Sequence, residues 1–268
     1  QITDNGRPVV WDKSDQNFTI LPTPVITLTA PGAESVWRIG TAHDITWTDN
    51  GGRISNNLTL EYSTDGGSVW KPIATGVPNT GTYAWTVPDD LCPSAIVRIF
   101  DAQRPATIAV SVPFDLANPL ITLVAPNGGE KWAVGDRGPV RWTTEGTVSD
   151  NLTIEYSPDA GTTWYLVRGG IPNTGSYSWT IPDYVTVQCL LRIKDNNRPA
   201  VTDVSDAVFT IDPLPTITVL APAGGEEYVL GDTVDITWEW TGLAIANITI
   251  DYSNDNFTTR RIIATGVS

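Results

Sequence analysis

The 268-residue sequence predicts an all-β protein built from tandem antiparallel β-sandwiches. Three observations carry that prediction. Val, Ile, Thr, Trp and Tyr are plentiful, apolar runs last only 4 to 8 residues before Gly, Pro, Asn or Asp intervenes, and whole phrases return at a fixed interval.

The interval sets the organisation. ITLTAP (26–31) returns as ITLVAP (121–126) and ITVLAP (217–222), which places Pro31, Pro126 and Pro222 95 and 96 residues apart. Trp47, Trp142 and Trp238 keep step, as do Tyr62, Tyr156 and Tyr252, each of which precedes a serine. Within a repeat the side chains alternate with period 2. NLTLEYS turns Leu58, Leu60 and Tyr62 one way and Asn57, Thr59 and Glu61 the other; TYAWTV points Tyr83, Trp85 and Val87 inward; CLLRIKD points Cys189, Leu191 and Ile193 inward. Seven to eight such runs fit in about 95 residues with turns every ~8 to 12, as in an immunoglobulin-like or fibronectin-III-like sandwich. Paired tryptophans on separate strands are expected to fill each core.

Register also divides the chain. ITDNGRPVVWDKSDQNFTI matches RIKDNNRPAVTDVSDAVFTI (192–211), the tail of a repeat, and IIATGVS stops where IATGVPNTG would continue. The expected parts are residues 1–21 as the C-terminal part of a preceding repeat, 22–117 as repeat 1, 118–213 as repeat 2, and 214–268 as the N-terminal half of repeat 3. The chain is therefore expected to be a segment of a longer array, with any export signal outside it.

Charge and composition remove several function classes. Lys+Arg 16 against Asp+Glu 30 gives a formal charge of −14, which repels nucleic acid and anionic membranes and leaves divalent cations as the expected charged partners. No apolar run is long enough for a transmembrane segment. Cys92 and Cys189 are too few for a disulfide framework and match no metal-ligand spacing. Cys189 is expected as a buried small hydrophobe and Cys92 in a loop.

YSTDGGSVW (62–70) fits S-x-D-x-G-x-x-W and resembles the Asp-box turn of sialidase propellers. Propeller blades recur every ~40 to 50 residues, whereas this turn recurs once per repeat, at SPDAGTTW (157–164) and, degraded, at SNDNFTTR (253–260). No ring of blades can close, and the motif reads as a hairpin device: Asp accepts turn N–H groups, Gly takes the positive-φ position, and Trp packs beneath.

APNGGEKWAVGDRGPVRW (125–142), followed by LTIEYSPDAGTTW, YSWTIPD and RIKD, resembles the Ig-like repeats of large secreted and surface-layer bacterial proteins. Those repeats are related to the N-terminal module of GPI-anchored, Ser/Thr-rich yeast cell-wall proteins. The resemblance covers nearly the whole chain and implies an Ig-like fold serving as spacer, adhesive unit or lattice element. Repeat 1 departs with PGAES for P-x-G-G-E, and repeat 3 has EEY where the others have Trp.

No catalytic or cofactor-binding residue is expected. His43 is the only histidine, so Ser/His/Asp and Cys/His chemistry would both depend on it, and its counterparts are Gly138 and Val234. It reads as a surface or edge residue. Asp89 and Asp90 are adjacent and point apart, unlike a glycosidase pair. The acidic loops offer one candidate metal site: Glu34, Asp89 and Asp90 from one repeat and Glu145, Asp150 and Asp195 from the next could converge on the Asn118-Pro119 linker and hold Ca²⁺ through oxygen ligands. The plainer alternative, solvated loops whose aspartates cap turns and pair with Arg104 or Arg198, is preferred. N-x-[ST] sequons stand at Asn17, Asn57, Asn151, Asn247 and Asn256; the middle three share one position of the repeat, face outward, and are the candidate glycosylation sites. The expected function is a non-enzymatic structural segment of an extracellular or cell-surface array, such as an S-layer component, that self-associates into a lattice or filament and contacts cell-wall glycans. The alternative is an adhesin or carbohydrate-binding stalk appended to a secreted hydrolase.

Overall fold

A computed structural model describes residues 1–267. Among the described residues all regular secondary structure is β-strand, in two compact units, the first ending at Asn118 and the second beginning at Pro119. The first unit opens on a small hairpin, β1 (Ile2–Thr3) with β2 (Trp11–Asp12). Nine strands follow: β3 (Ile26–Ala30), β4 (Val36–Arg38), β5 (Ala42–Asp49), β6 (Leu58–Ser63), β7 (Lys71–Val77), β8 (Thr82–Thr86), β9 (Cys92–Asp101), β10 (Arg104–Val110) and β11 (Phe114–Ala117). They form one sheet in the order β3-β5-β8 and a second in the order β4-β11-β9-β6-β7, with β10 also paired to β9.

The second unit repeats the plan with β12 (Leu120–Ala125), β13 (Lys131–Ala133), β14 (Arg137–Glu145), β15 (Leu152–Ser157), β16 (Tyr165–Ile171), β17 (Ser176–Thr180), β18 (Thr186–Asp195), β19 (Thr202–Val204) and β20 (Phe209–Asp212). Its sheets run β12-β14-β17 and β13-β20-β18-β15-β16, with β19 on β18. This is the strand order of an immunoglobulin-like or fibronectin-III-like sandwich, with three strands facing the sheet that carries the C-terminal strand. Nine segments appear instead of seven or eight because the first and last strands of each sandwich are split. The first changes sheets just after a cis peptide, Ala30-Pro31 or Ala125-Pro126, and its second half pairs parallel with the last strand. The last breaks at Ser111 or Ser205, whose hydroxyl accepts the N–H of Val97 or Leu191 at 3.0 Å and substitutes for a ladder bond.

Each sandwich has its own core. Trp37, Trp47 and Trp85 pack with Leu58, Leu60, Ile99 and Phe114 in the first; Trp142 and Trp179 pack with Ile121, Leu152, Ile154, Leu191 and Phe209 in the second. The alternation expected from sequence holds on the inward face. The central strand is covered on its outer face as well, because Thr59 and Thr153 are buried there.

The repeated phrases become legible as fold chemistry. The glutamate of P-x-G-G-E, Glu130, accepts the N–H groups of Asn127 and Gly128, each at 2.8 Å. Glu226 does the same for Ala223 and Gly224, and where repeat 1 reads PGAES, Ser35 Oγ accepts from Gly32 at 3.0 Å. A side chain at Gly128, at φ 132°, would sit 2.6 Å from the Ala207 Cβ. The asparagine of P-N-T-G satisfies the core indole: Trp47 Nε1 donates to Asn79 and Trp142 Nε1 to Asn173, both at 2.8 Å.

Both thiols are free and buried. Cys189 fits its expectation, and burial pushes its thiol up to about 12. Cys92 does not lie in a loop. It opens β9, and its Sγ donates to the Thr64 carbonyl, the place where Thr186 Oγ1 donates to the Pro158 carbonyl. A Cys-for-Thr exchange keeps a small donor there, and spacing alone cannot show that. Neither thiol is expected to react with N-ethylmaleimide in the native chain, and both are expected to react in 6 M guanidinium; intact-mass analysis of the labelled protein checks this.

The last segment keeps the local pairing of the first two. β21 (Thr216–Ala221) pairs β22 (Thr237–Thr241), and β23 (Ile248–Tyr252) pairs β24 (Arg261–Val267), with Val219 opposite Trp238 as Leu123 is opposite Trp142. Ile217 and Val219 are nonetheless 47% and 54% exposed, where their counterparts Ile121 and Leu123 are 1% exposed. Among the described residues no strand equivalent to β17, β18 or β20 covers them.

Candidate functional site

The Asp-box turns are built for the fold. Ser63 Oγ donates to Asp65 Oδ1 at 2.7 Å and accepts the Gly67 N–H at 2.9 Å, while Val69 N–H reaches Asp65 at 2.9 Å. Ser157 and Asp159 repeat these bonds, and donation by Thr163 and Ser157 holds the Asp159 carboxyl down to about 2. The turn survives in the degraded copy, where Phe257 occupies the glycine position at φ 62° and Ser253 and Asp255 bond as before. The tryptophan packs against the turn glycine as expected: the Trp70 ring lies beside Gly67, and Trp164 Nε1 donates to the Gly161 carbonyl at 3.0 Å. Trp70 and Trp164 lie on the outer sheet face, where Arg98 and Arg192 stack 4.2 and 4.1 Å from their ring centres and pair with Glu61 and Glu155.

The acidic candidates separate into different environments. Pairing of β4 and β9 with β11 puts Glu34 at the kink of the split first strand, about five residues or ~16 Å along the strand direction from Asp90. Asp90 is already engaged: Tyr62 OH donates to it at 2.5 Å and Lys71 at 2.8 Å, and Lys71 leads in holding its carboxyl below the usual range. Glu145, Asp150 and Asp195 do share one pole of the second sandwich, through Leu120 opposite Glu145 and Leu152 opposite Asp195. Asp195, however, is buried and accepts from Ser149 N–H at 3.0 Å, Ser149 Oγ at 2.5 Å and Asn197 N–H at 2.8 Å. Asp101 makes the same three bonds with Ser55 and Gln103. Asp150 caps the turn at Asn173, and Asp89 lies in the β8–β9 loop. Within either unit, the described residues present no group of three or more His, Cys, Asp or Glu arranged to hold a metal ion.

The sequon asparagines Asn57, Asn151 and Asn247 are exposed, as expected, and so are Asn17 and Asn256. Asn151 is tied to the neighbouring hairpin, donating to Asn197 and accepting from Asn196. His43 stacks flat on Trp37 at 4.8 Å and shares a 2.8 Å hydrogen bond with Thr41.

A groove that the sequence reading passed over lies along the open side of the second sandwich. Between the edge strands β16 and β17 a cleft of about 490 Å³ is lined by Tyr156, Tyr165, Leu166, Tyr177, Trp179 and Pro182. The Tyr156 ring lies 5.5 Å from Tyr165 and 5.4 Å from Trp179. Tyr165 is 47% exposed, and so is Tyr184, which follows Pro182 and Asp183. Burial first, then Cys189, Tyr165 and Tyr184, push the Tyr156 phenol above its ordinary range. The counterparts in the first sandwich are Tyr62, Lys71, Tyr83, Trp85 and Asp90, so two exchanges distinguish the repeats: Lys71 becomes Tyr165, and Asp90 becomes Tyr184. In the first sandwich the Lys71–Asp90 ion pair spans the gap and takes the Tyr62 hydroxyl. In the second there is no ion pair at this place, and the Tyr156 hydroxyl has no protein partner among the described residues. The signal available in sequence was the paired replacement, two positions 19 residues apart changing together between otherwise matching repeats.

No family model and no curated protein matches the chain. Among solved structures it is similar to the fibronectin(III)-like modules of Clostridium thermocellum CbhA, at 11% identity over 70% of this chain and 95% of that one, with a TM-score of 0.26. It is also similar to a chimeric titin Z1Z2 functionalized with a KLER exogenous peptide from decorin (13%, 71% and 98%, TM-score 0.29). The N-terminal four Ig domains of Dscam1 isoform 6.9 are a third such structure (10%, 86% and 62%, TM-score 0.24). The fold assignment rests on the strand order and pairing described above.

Proposed function

We propose that this chain is a non-enzymatic structural segment of an extracellular tandem-repeat protein, a cell-surface or S-layer component whose sandwiches form a semi-rigid array. One observation carries the reading: the polar residues that recur from repeat to repeat are spent on the fold. Glu130 closes a loop, Asn173 satisfies Trp142, Asp159 holds a hairpin and Asp195 ties two loops together. A unit whose repeated loop and turn groups serve its own stability suits a building block, with function carried by arrangement and by what varies between copies. Short linkers such as LPTP, ANP and DPLP favour fixed orientation over free tethering.

Electron microscopy of the purified chain, with 5 mM CaCl₂ and with EDTA, tests this. Ordered sheets or filaments are expected; dependence on CaCl₂ would add an inter-repeat Ca²⁺ role for the carboxylates at the sandwich poles. A chain that stays monodisperse under all conditions contradicts the lattice reading. The second reading, an adhesive or carbohydrate-binding stalk, is favoured by the aromatic groove of the second sandwich.

A further inference from the structure

We propose that the groove between β16 and β17 is a binding site for a neutral polysaccharide strand, held by stacking of flat pyranose faces on Tyr165 in the groove and on Tyr184 just beyond its Pro182 end, and by hydrogen bonds to the Tyr156 hydroxyl. The inference gives the adhesive reading its ligand class, and it stands whether or not the chain forms a lattice.

The shape and chemistry of the groove select the ligand. It is an open cleft on the surface, so it admits a chain passing through and not only a chain end. Its walls are aromatic, and no charged side chain lines it. A phosphate or carboxylate polymer would find no cation there, and the chain's formal charge of −14 repels polyanions further. Exposed tyrosine rings offer apolar faces with polar edges, which match the axial C–H faces and equatorial hydroxyls of a sugar ring. The Tyr156 hydroxyl can both donate and accept, as a sugar hydroxyl requires.

The comparison with the first sandwich shows that these features are not demanded by the fold. The same scaffold carries Lys71 and Asp90 at the two positions, with the tyrosine hydroxyl satisfied internally by Asp90. The second repeat replaces both charged groups at once. It thereby frees a phenol that the fold can otherwise satisfy and leaves two large rings in water, an arrangement that stability alone does not explain.

Native affinity electrophoresis of the full chain through gels containing hydroxyethyl cellulose, xylan, dextran or polygalacturonate tests the proposal, with cellohexaose titration of tryptophan fluorescence as a second measurement. Retardation by hydroxyethyl cellulose or xylan is expected, with little by dextran, whose linkage does not present a flat ribbon. The double variant Tyr165→Lys/Tyr184→Asp copies the first sandwich, so it is expected to fold, and to bind about tenfold more weakly or worse. The reciprocal Lys71→Tyr/Asp90→Tyr variant is expected to add a second, similar site, which keeps the proposal testable should the first variant fold poorly. Four results would overturn it: no retardation by any neutral polysaccharide, equal binding by wild type and the Tyr165→Lys/Tyr184→Asp variant, retardation by polygalacturonate alone, which would move recognition to Arg137 and Arg141 on the adjoining strand, or binding of a proline-rich peptide in place of glycan. Electron microscopy decides the lattice separately, so failure of one reading is not failure of the other.

Discussion

Trp179→Ala is expected to destabilise the second sandwich by about 3 to 5 kcal/mol. Trp179 is buried, packs edge-on to Trp132 at 6.0 Å and against Tyr156 at 5.4 Å, and borders Phe209. Truncation leaves a cavity that the flanking strands cannot collapse into, because β17 is pinned to β14 along five residue pairs. The core residues of the first sandwich all lie between Ile26 and Leu116, and Trp179 is not among them. Urea unfolding should therefore show one transition moved to lower denaturant and one unchanged, a departure from two-state behaviour that tandem modules permit. Tryptophan fluorescence and far-UV circular dichroism report it; a single transition moving as a whole is the opposing result.

Asp195→Ala is expected to cost about 2 to 3 kcal/mol, because the buried carboxylate is the acceptor for the N–H and hydroxyl of half-buried Ser149, at ~1 to 3 kcal/mol for each donor left unsatisfied, while the N–H of exposed Asn197 turns to water. Asp195→Asn retains one acceptor oxygen and should cost less. The same group gives a pH dependence. Burial pushes the Asp195 carboxyl up, but donation by Ser149, Asn197 and Arg198 overcomes this and sets it below its ordinary value; Asp101 is lowered in the same way by Ser55 and Gln103. A lowered folded-state value means that the carboxylates contribute stability above the unfolded aspartate value near ~3.9, and lose it as pH falls through the folded values. Urea midpoints should hold steady from neutral pH to about 5 and then fall towards pH 2, with a smaller fall in the Asp101→Asn/Asp195→Asn variant.

What sequence made legible, and what it did not, divides along a physical line. Period-2 alternation located the central strands, because burial on one face is written directly into NLTIEYS and CLLRIKD. The interval between matching prolines located the repeats. The split of the first and last strands was not legible: it depends on Ser205 replacing a ladder bond to Leu191 while donating to the Pro126 carbonyl, and on where β13 meets β20, and the last two are contacts 79 residues apart in sequence. The acidic loops read as candidate ligands because sequence shows carboxylates without their partners. Only the folded chain shows Asp195 saturated by Ser149 and Asp90 taken by Lys71 and Tyr62. The groove escaped for the opposite reason. Tyr165 and Tyr184 sit in unrelated phrases, and only the folded chain sets the Tyr165 ring against Tyr156 and places Tyr184 beside the groove-lining Pro182.

The central claim is that each sandwich exists because two sheets close over a separate core, and that local strand sequence is secondary. Hydrogen exchange of the native chain, read by mass spectrometry peptide by peptide, tests this most directly, because NLTLEYS, NLTIEYS and NITIDYS are near copies in different surroundings. β6 and β15 are each paired on both edges and buried, whereas β23 is paired on one edge and its Ile248 and Ile250 are only half-buried, across an open cleft from Ile217, Val219 and Trp238. Slow exchange is predicted across 58–63 and 152–157, and exchange faster by orders of magnitude across 248–252. Equal protection of all three copies would contradict the claim.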